Sequence, residues 1–290
     1  MIKELAKEYM EKLDFPQDEQ KELLQTLDEL LKTNEFLEIV KRYESDNFDF
    51  SSMIEDAKTL AESRGMCVYT VHMLLLVCML PKMHERYVSN NIDEKMFYDM
   101  ARDLRYKLEE CRLVHNKCGT FVAAWYKRIF ELNIFALGRL QFERTQTWFD
   151  CEVNGVSIPK GTKVLSVHIP RTGTKLDHDL VVDSYKRAIE FFGNEFDDKV
   201  IFMCNSWLLY PWMRSVLGDN SNLAQFYDDF CIVSSNEYGN YNEVWRLFDC
   251  VYEDNIDKLP NDTSLRRQYI ARIKRQEPIG YGVGVFVLDK

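Results

Sequence analysis

The apolar residues of this 290-residue chain change their spacing once, near residue 138, and that change limits the folds open to it. Before it they recur at helical intervals; after it they alternate in period two or gather in short runs between turn residues. Gln17 to Thr33 puts Leu23, Leu24, Leu27, Leu30 and Leu31 on one side of an amphipathic helix, behind a break at Asp14-Phe15-Pro16. Ser51 or Ser52 is placed to cap a helix that runs through Glu62 and ends at Arg64-Gly65. Met66 to Leu80 is the most apolar run; it holds His72, stops at Pro81 and is short of the roughly 20 residues of a bilayer span, so it reads as a buried helix. Asp93 starts a further helix to about Arg112, and Thr120 a last one carrying Val122, Trp125, Ile129 and Phe130. Residues 1–136 are therefore expected to form an all-helical domain.

The remainder, residues 137–290, mixes strands and helices. Arg139 to Arg144 alternates, Asn154-Gly155 is a hairpin turn signal, and Pro159-Lys160-Gly161 marks another turn. Lys163 to Ile169 alternates again and leads through a small-residue loop into a helix, where Leu180, Val181, Tyr185, Ala188, Ile189 and Phe192 keep the helical period. Lys199 to Trp207 reads as a second strong strand. Short helices at Pro211 to Leu217 and Leu223 to Phe230, a strand at Phe230 to Ser234, a helix at Ser264 to Arg275 and a glycine-interrupted strand at Gly280 to Leu288 complete the reading. The fold class is α+β, a helical domain over 1–136 followed by a mixed-sheet domain over 137–290.

Charge and cysteine usage narrow the function classes. A formal net charge of −10 offers no basic face for phosphate backbones or anionic lipid, so neither nucleic acid nor membrane is expected as a partner. The first residues, Met1-Ile2-Lys3-Glu4, begin a charged helical stretch without the apolar core of a signal peptide. Eight cysteines without a C-x-x-C pair, several of them in apolar runs, suit a reducing compartment, and a cytoplasmic location is expected. Cys111, His115 and Cys118 fall on one helix face if the helix continues past Asn116; only Glu110 is at hand as a fourth ligand, so no metal is expected.

Two groups of residues carry chemistry. Period-two geometry sets Arg139, Gln141 and Glu143 on one strand face, with Leu140 and Phe142 on the other; the row either lines a pocket among Phe135, Trp148 and Phe149 or faces solvent on an edge strand. His168 shares a face with Ser166 and Val164 and is suited to general base work, or to a structural bond with backbone. Beyond His168-Ile169-Pro170 lies a strand-to-helix junction, where backbone N–H groups and a helix dipole favour an anion. Arg171-Thr172-Gly173-Thr174 would cradle a pyrophosphate there, or make a plain polar turn, and Asp177 and Asp179 compete for the same positive potential. Gly155 to Lys163 lacks the G-K-T order and following helix of a phosphate loop, and Gly280-x-Gly-x-Gly284 has no room for a helix after it.

The segments LGRLQFER (137–144), VLSVHIP (164–170), SYKRAIEFF (184–192), CNSWLLYP (204–211) and SNLAQFYDDF (221–230) resemble a bacterial family of acyltransferase-domain proteins. That family pairs a helical N-terminal domain with a C-terminal domain resembling the GNAT acyltransferases. The resemblance implies acyl-CoA as co-substrate, acetyl-CoA or longer, held by Ile169, Arg171, Thr172, Gly173 and Thr174. It implies direct attack on the thioester by an amine, small-molecule or peptide, with Glu143 or His168 as base. Ser206 or Tyr210 would protonate the leaving thiolate, and Arg139, Gln141, Asn205 and Trp207 would contact the acceptor. The family has a histidine where this chain has Asn205, so the alternative is a non-catalytic GNAT-like module that binds acyl-CoA or a protein partner.

Overall fold

Every residue from Thr70 to Leu80 is buried, which makes the helix that carries them the axis of the N-terminal half. The computed structural model describes residues 2–253 and 255–290, and its contacts divide the chain into two units, 1–133 and 134–290. The first unit holds α1 (Ile2–Lys12), α2 (Gln17–Leu30), α3 (Glu35–Lys41), α4 (Phe50–Ser63), α5 (Val68–Ser89), α6 (Glu94–Ala101), α7 (Asp103–His115) and α8 (Lys127–Phe130). α5 packs against each of α1, α2, α3, α4, α6 and α7. Among the described residues no helix is long and apolar enough to cross a membrane.

Local chemistry sets the helix ends, and several ends differ from expectation. α1 closes where Asp14 takes a left-handed φ of 58° and the Phe15 amide donates to Met10 O, a Schellman end. α4 is capped by Asp49, whose carboxylate accepts from the Ser51 and Ser52 amides, rather than by either serine. α5 does not stop at Pro81 but continues to Ser89. An internal proline costs about 3 kcal/mol, and burial of each large apolar side chain along α5 returns about 1.5–3 kcal/mol, so packing prevails. The expected helix from Asp93 to Arg112 is two helices, α6 and α7, that meet at Arg102. The one from Thr120 is a 3-10 turn, Ala123–Tyr126, followed by the single turn of α8. α7 ends at His115 because Asn116 is left-handed, with φ 52°. His115 stacks among Tyr69 and Phe121, and the described residues that come within ligand distance of one another around Cys118 are Glu19 and Glu22, not Cys111 or His115. Arg112 pairs with both of those glutamates, so the carboxylates already have a cationic partner.

The second unit is built on a six-stranded sheet of order β1-β2-β5-β6-β8-β7 and a separate hairpin of β3 and β4. Its strands are β1 (Ile134–Leu137), β2 (Leu140–Gln146), β3 (Cys151–Val153), β4 (Val156–Ile158), β5 (Lys163–His168), β6 (Lys199–Ser206), β7 (Cys231–Glu237) and β8 (Gly280–Asp289). Only β5 and β6 run parallel. Asn154 and Gly155, at φ 52° and 77°, form the primed turn expected of their types between β3 and β4. α9 (His178–Phe192) covers one face of the sheet, where Phe142, Tyr185, Phe202 and Phe286 pack ring against ring. On the other face Val164, Ile201, Met203, Val283 and Val285 meet Val153 and Ile158 of the hairpin. The short helices α10 (Pro211–Val216), α11 (Asn222–Asp228), α12 (Trp245–Phe248) and α13 (Ser264–Lys274) follow. Leu208, Tyr210, Met213, Val244, Phe248, Tyr269 and Ile273 form a further apolar cluster, on which Ile169 and Trp207 lean.

Candidate active site

β5 and β6 pair through Leu165 with Phe202 and Ser166 with Met203, and beyond those residues the two strands run on without pairing. The sheet therefore opens at their C-terminal ends, between His168 on one side and Asn205 on the other. That opening is the place in an α/β sheet where a ligand most readily enters.

Beside the opening, the β2–β5 register places Gln141 opposite His168 and Glu143 opposite Ser166. All four side chains share the face opposite α9, because strand residues two apart point the same way. His168 Nε2 lies 2.9 Å from Glu143 Oε2, and the two side chains keep 22% and 15% of their surface exposed. Gln141 is buried. The polar row thus lines a half-buried site and does not form a solvent-washed edge. The carboxylate orients the imidazole.

Arg139 is not part of the row. Leu137 pairs with Leu140, so Gly138 and Arg139 are the two-residue turn between β1 and β2, and Gly138 takes the positive φ of 79° that a II′ turn needs in first place. The turn sits on α9: Arg139 N donates to Ser184 Oγ at 2.7 Å, and a Cβ on Gly138 would come within 2.7 Å of that oxygen. The Arg139 guanidinium donates to three carbonyls of the junction loop, Pro170 O at 3.1 Å, Thr174 O at 3.0 Å and Lys175 O at 3.3 Å.

Within that loop the amides have different fates. Thr172 N donates to Pro170 O, and Thr174 N to Thr172 Oγ1. Gly173, at φ 75°, faces open space, and among the described residues its amide has no protein acceptor. Asp177 caps α9 by accepting from Asp179 N at 3.1 Å. The cap satisfies one orphan donor and sets a negative charge beside the junction. Arg171 ion-pairs with Asp249, whose other oxygen takes Arg266 Nη2 at 2.7 Å, so one carboxylate lies between two guanidinium groups. Arg266 Nη1 also donates to Asp262 at 2.9 Å, so two guanidinium groups and two carboxylates balance one another beside the loop.

The remaining expected residues fall at the end of β6. Asn205 is exposed and lies on the His168 side of the sheet by strand alternation, whereas Trp207 is half-buried at the start of a 3-10 turn, where its ring meets Tyr269. Ser206 points to the opposite face and accepts from Leu208 N at 3.2 Å. Tyr210 is buried and donates to Glu237 at 3.3 Å; burial is the main cause that raises its phenol above the ordinary value. A second histidine–carboxylate pair lies at the start of α9, where His178 Nε2 is 2.9 Å from Asp229 Oδ1 and Tyr185 donates to Oδ2 at 3.2 Å. Desolvation raises the Asp229 carboxyl above its ordinary value. Sequence spacing gave no signal for that pair, nor for Asp249 and Arg266, because each contact joins residues far apart in the chain.

Comparison with known proteins agrees with this architecture. A family profile described as "GNAT-like C-terminal domain" matches residues 134–286, and one described as "N-acyltransferase N-terminal domain" matches residues 4–132. No curated protein matches the sequence significantly. A solved acyltransferase in complex with decanoyl-CoA and teicoplanin superposes with a TM-score of 0.77 at 20% identity, over 98% of this chain and 87% of that one. A mutant acyltransferase in complex with octanoyl-CoA gives 0.77 at 20%, over 98% and 88%. A third, with CoA and 10C-teicoplanin, gives 0.76 at 20%, over 97% and 86%. At this identity the likeness carries the fold.

Proposed function

The chain belongs to the family that joins an N-acyltransferase N-terminal domain to a GNAT-like C-terminal domain, and on that premise we propose that it transfers an acyl group from acyl-CoA to an amine by direct attack. The observation that carries the reading is the opening between β5 and β6, flanked by the Glu143–His168 pair and by a loop whose Gly173 amide has no acceptor among the described residues. The thioester lies in the opening, with the acyl-CoA diphosphate against residues 169–174 and the α9 N-terminus.

His168, oriented by the contact of its Nε2 with the Glu143 carboxylate, is the base. It takes the proton as the amine nitrogen attacks the thioester carbon. The Ile169 amide supports the oxyanion, and collapse of the tetrahedral intermediate breaks the C–S bond. Ser206 accepts a backbone amide with Oγ; from the opposite face its O–H gives a proton to the departing thiolate and regains one, through solvent, from that taken up by His168, so both side chains return to their starting state. Gln141, Asn205 and Trp207 contact the acceptor. A small-molecule amine is the favoured acceptor class, because two of the solved neighbours are complexes with teicoplanin or 10C-teicoplanin as well as decanoyl-CoA or CoA. Eight unpaired thiols support a reducing, cytoplasmic setting.

A second reading, a GNAT-like module that binds acyl-CoA without turning it over, is favoured by Asn205, a group that does not titrate at the end of β6. Melting in the presence of acetyl-, octanoyl- and decanoyl-CoA tests binding: at 100 times Kd a ligand adds about 2.7 kcal/mol. Amine-dependent release of free CoA separates the two readings. No shift with any acyl-CoA sinks both, and a shift without release leaves the module.

A further inference from the structure

We infer that Arg139 is a positioning residue that aims the backbone amides of the junction loop at the acyl-CoA diphosphate. The inference rests on the proposed acyl-CoA reading and gives Arg139 a different task from contact with the acceptor.

The reasoning begins with peptide geometry. The described chain has no cis peptide bond, and in a trans peptide the C=O and the following N–H point in opposite directions. Arg139 draws the carbonyls of Pro170, Thr174 and Lys175 toward its guanidinium. The N–H groups of Arg171, Lys175 and Leu176 are therefore turned away from it. Lys175 and Leu176 N–H, like that of Gly173, have no acceptor among the described residues. By contrast, the amides of Thr172 and Thr174 are used inside the loop. The donors presented to an anion are thus those of Gly173, Lys175 and Leu176. A planar fork with five N–H groups can bridge three carbonyls at once; an ammonium on a flexible stem has no such fixed geometry.

The clamp is itself anchored. Arg139 N and the Leu180 carbonyl share Ser184 Oγ, at 2.7 Å each, so the turn that carries the guanidinium is registered on α9. Ser184 is fully buried. Turn, loop and helix start are thereby held as one unit, which is what a preorganised phosphate seat requires.

The test compares two acyl donors on wild type, Arg139→Ala and Arg139→Lys. One donor is acyl-CoA; the other is acyl-pantetheine, which has the same thioester and no diphosphate. Arg139→Ala is expected to raise KM and Kd for acyl-CoA about tenfold with kcat within about twofold, and to leave kcat/KM for acyl-pantetheine unchanged. Arg139→Lys, which keeps the charge without the fork, is expected to recover only a minor part of the loss. Equal loss on both donors, or no loss on either, overturns the inference. If Arg139→Ala does not fold, Arg139→Gln, with one amide donor group, gives the same comparison. Failure of wild type to bind CoA at all would remove the acyl-CoA reading itself, an outcome distinct from a wild type that binds and a variant that binds equally well.

Discussion

Glu143 and His168 are diagonal neighbours across the β2–β5 ladder, two residues out of direct register, and that offset lets a carboxylate meet an imidazole at 2.9 Å on one sheet face. A directly opposed pair would be Gln141 with His168, which brings an amide to the imidazole and no charge. The ladder thus sets which polar group orients the imidazole.

Replacing either member separates chemistry from binding. Glu143→Gln and His168→Ala are each expected to lower kcat for CoA release by about 10²–10⁴-fold, with Kd for acyl-CoA changed less than about threefold. Stopped-assay thiol detection and calorimetric titration read the two quantities. Loss of binding in step with kcat would make the pair a cofactor contact.

Asp177 caps α9 and also places a negative charge where the acyl-CoA diphosphate is proposed to sit. Asparagine caps a helix as well as aspartate, so Asp177→Asn removes the charge and keeps the bond to Asp179 N. A charge at a helix N-terminus is worth about 0.3–1 kcal/mol. Affinity for CoA should rise about two- to fivefold at low salt, and the gain should shrink at high ionic strength. Titration at two salt concentrations decides it, and equal affinities at low salt would place the diphosphate elsewhere.

His72 supplies a pH dependence. It is buried on α5 with Nε2 3.1 Å from Ile54 O, and desolvation lowers its pKa from the ordinary 6.5. Above that value neither the folded nor the unfolded chain holds the proton, and the full stability is present. As pH falls below 6.5 the unfolded chain takes up a proton that the folded chain resists. Stability then declines at up to about 1.4 kcal/mol per pH unit until the lowered folded value is reached. Urea unfolding at about pH 7.5 and about pH 5.5 should show a smaller difference in His72→Gln than in wild type. An unchanged difference would assign the slope to other groups.

Two glycines that read alike in sequence should behave differently. A Cβ on Gly282 would lie 1.9 Å from Leu209 O, whereas one on Gly173 would meet nothing, and only its φ of 75° opposes a side chain. Gly173→Ala is expected to cost about 1–2 kcal/mol. Gly282→Ala should cost about 3 kcal/mol or more, since backbone must move to admit it. Thermal melts read both. Equal stabilities would mean that β8 and the segment after β6 do not approach so closely.

What the sequence made legible was local. The Asn154-Gly155 turn, β5, β6 and α9 each depend on residues within a few positions of one another, and all lie close to where spacing puts them. Contacts made through space were hidden. Arg139 reads as a strand residue because alternation runs back through it, and only the positive φ of Gly138 ends the strand at Leu140. Asp49 outcompetes Ser51 as a cap because the helix begins two residues earlier than a Ser51 cap would set it. The pairing of Arg171 with Asp249 spans 78 positions, and no periodicity reports on such a distance.

The order of the sheet has a consequence for how the chain is made. β8, at residues 280–289, lies between β6 and β7, so nothing emerging earlier from the ribosome can fill that slot. Until it arrives, β6 and β7 each present an unpaired edge, a template for wrong strands and for other copies. A chain halted before Gly280 should therefore aggregate during synthesis, and a bulky fusion close behind Leu288 would be felt where β8 joins β7 to the rest of the sheet.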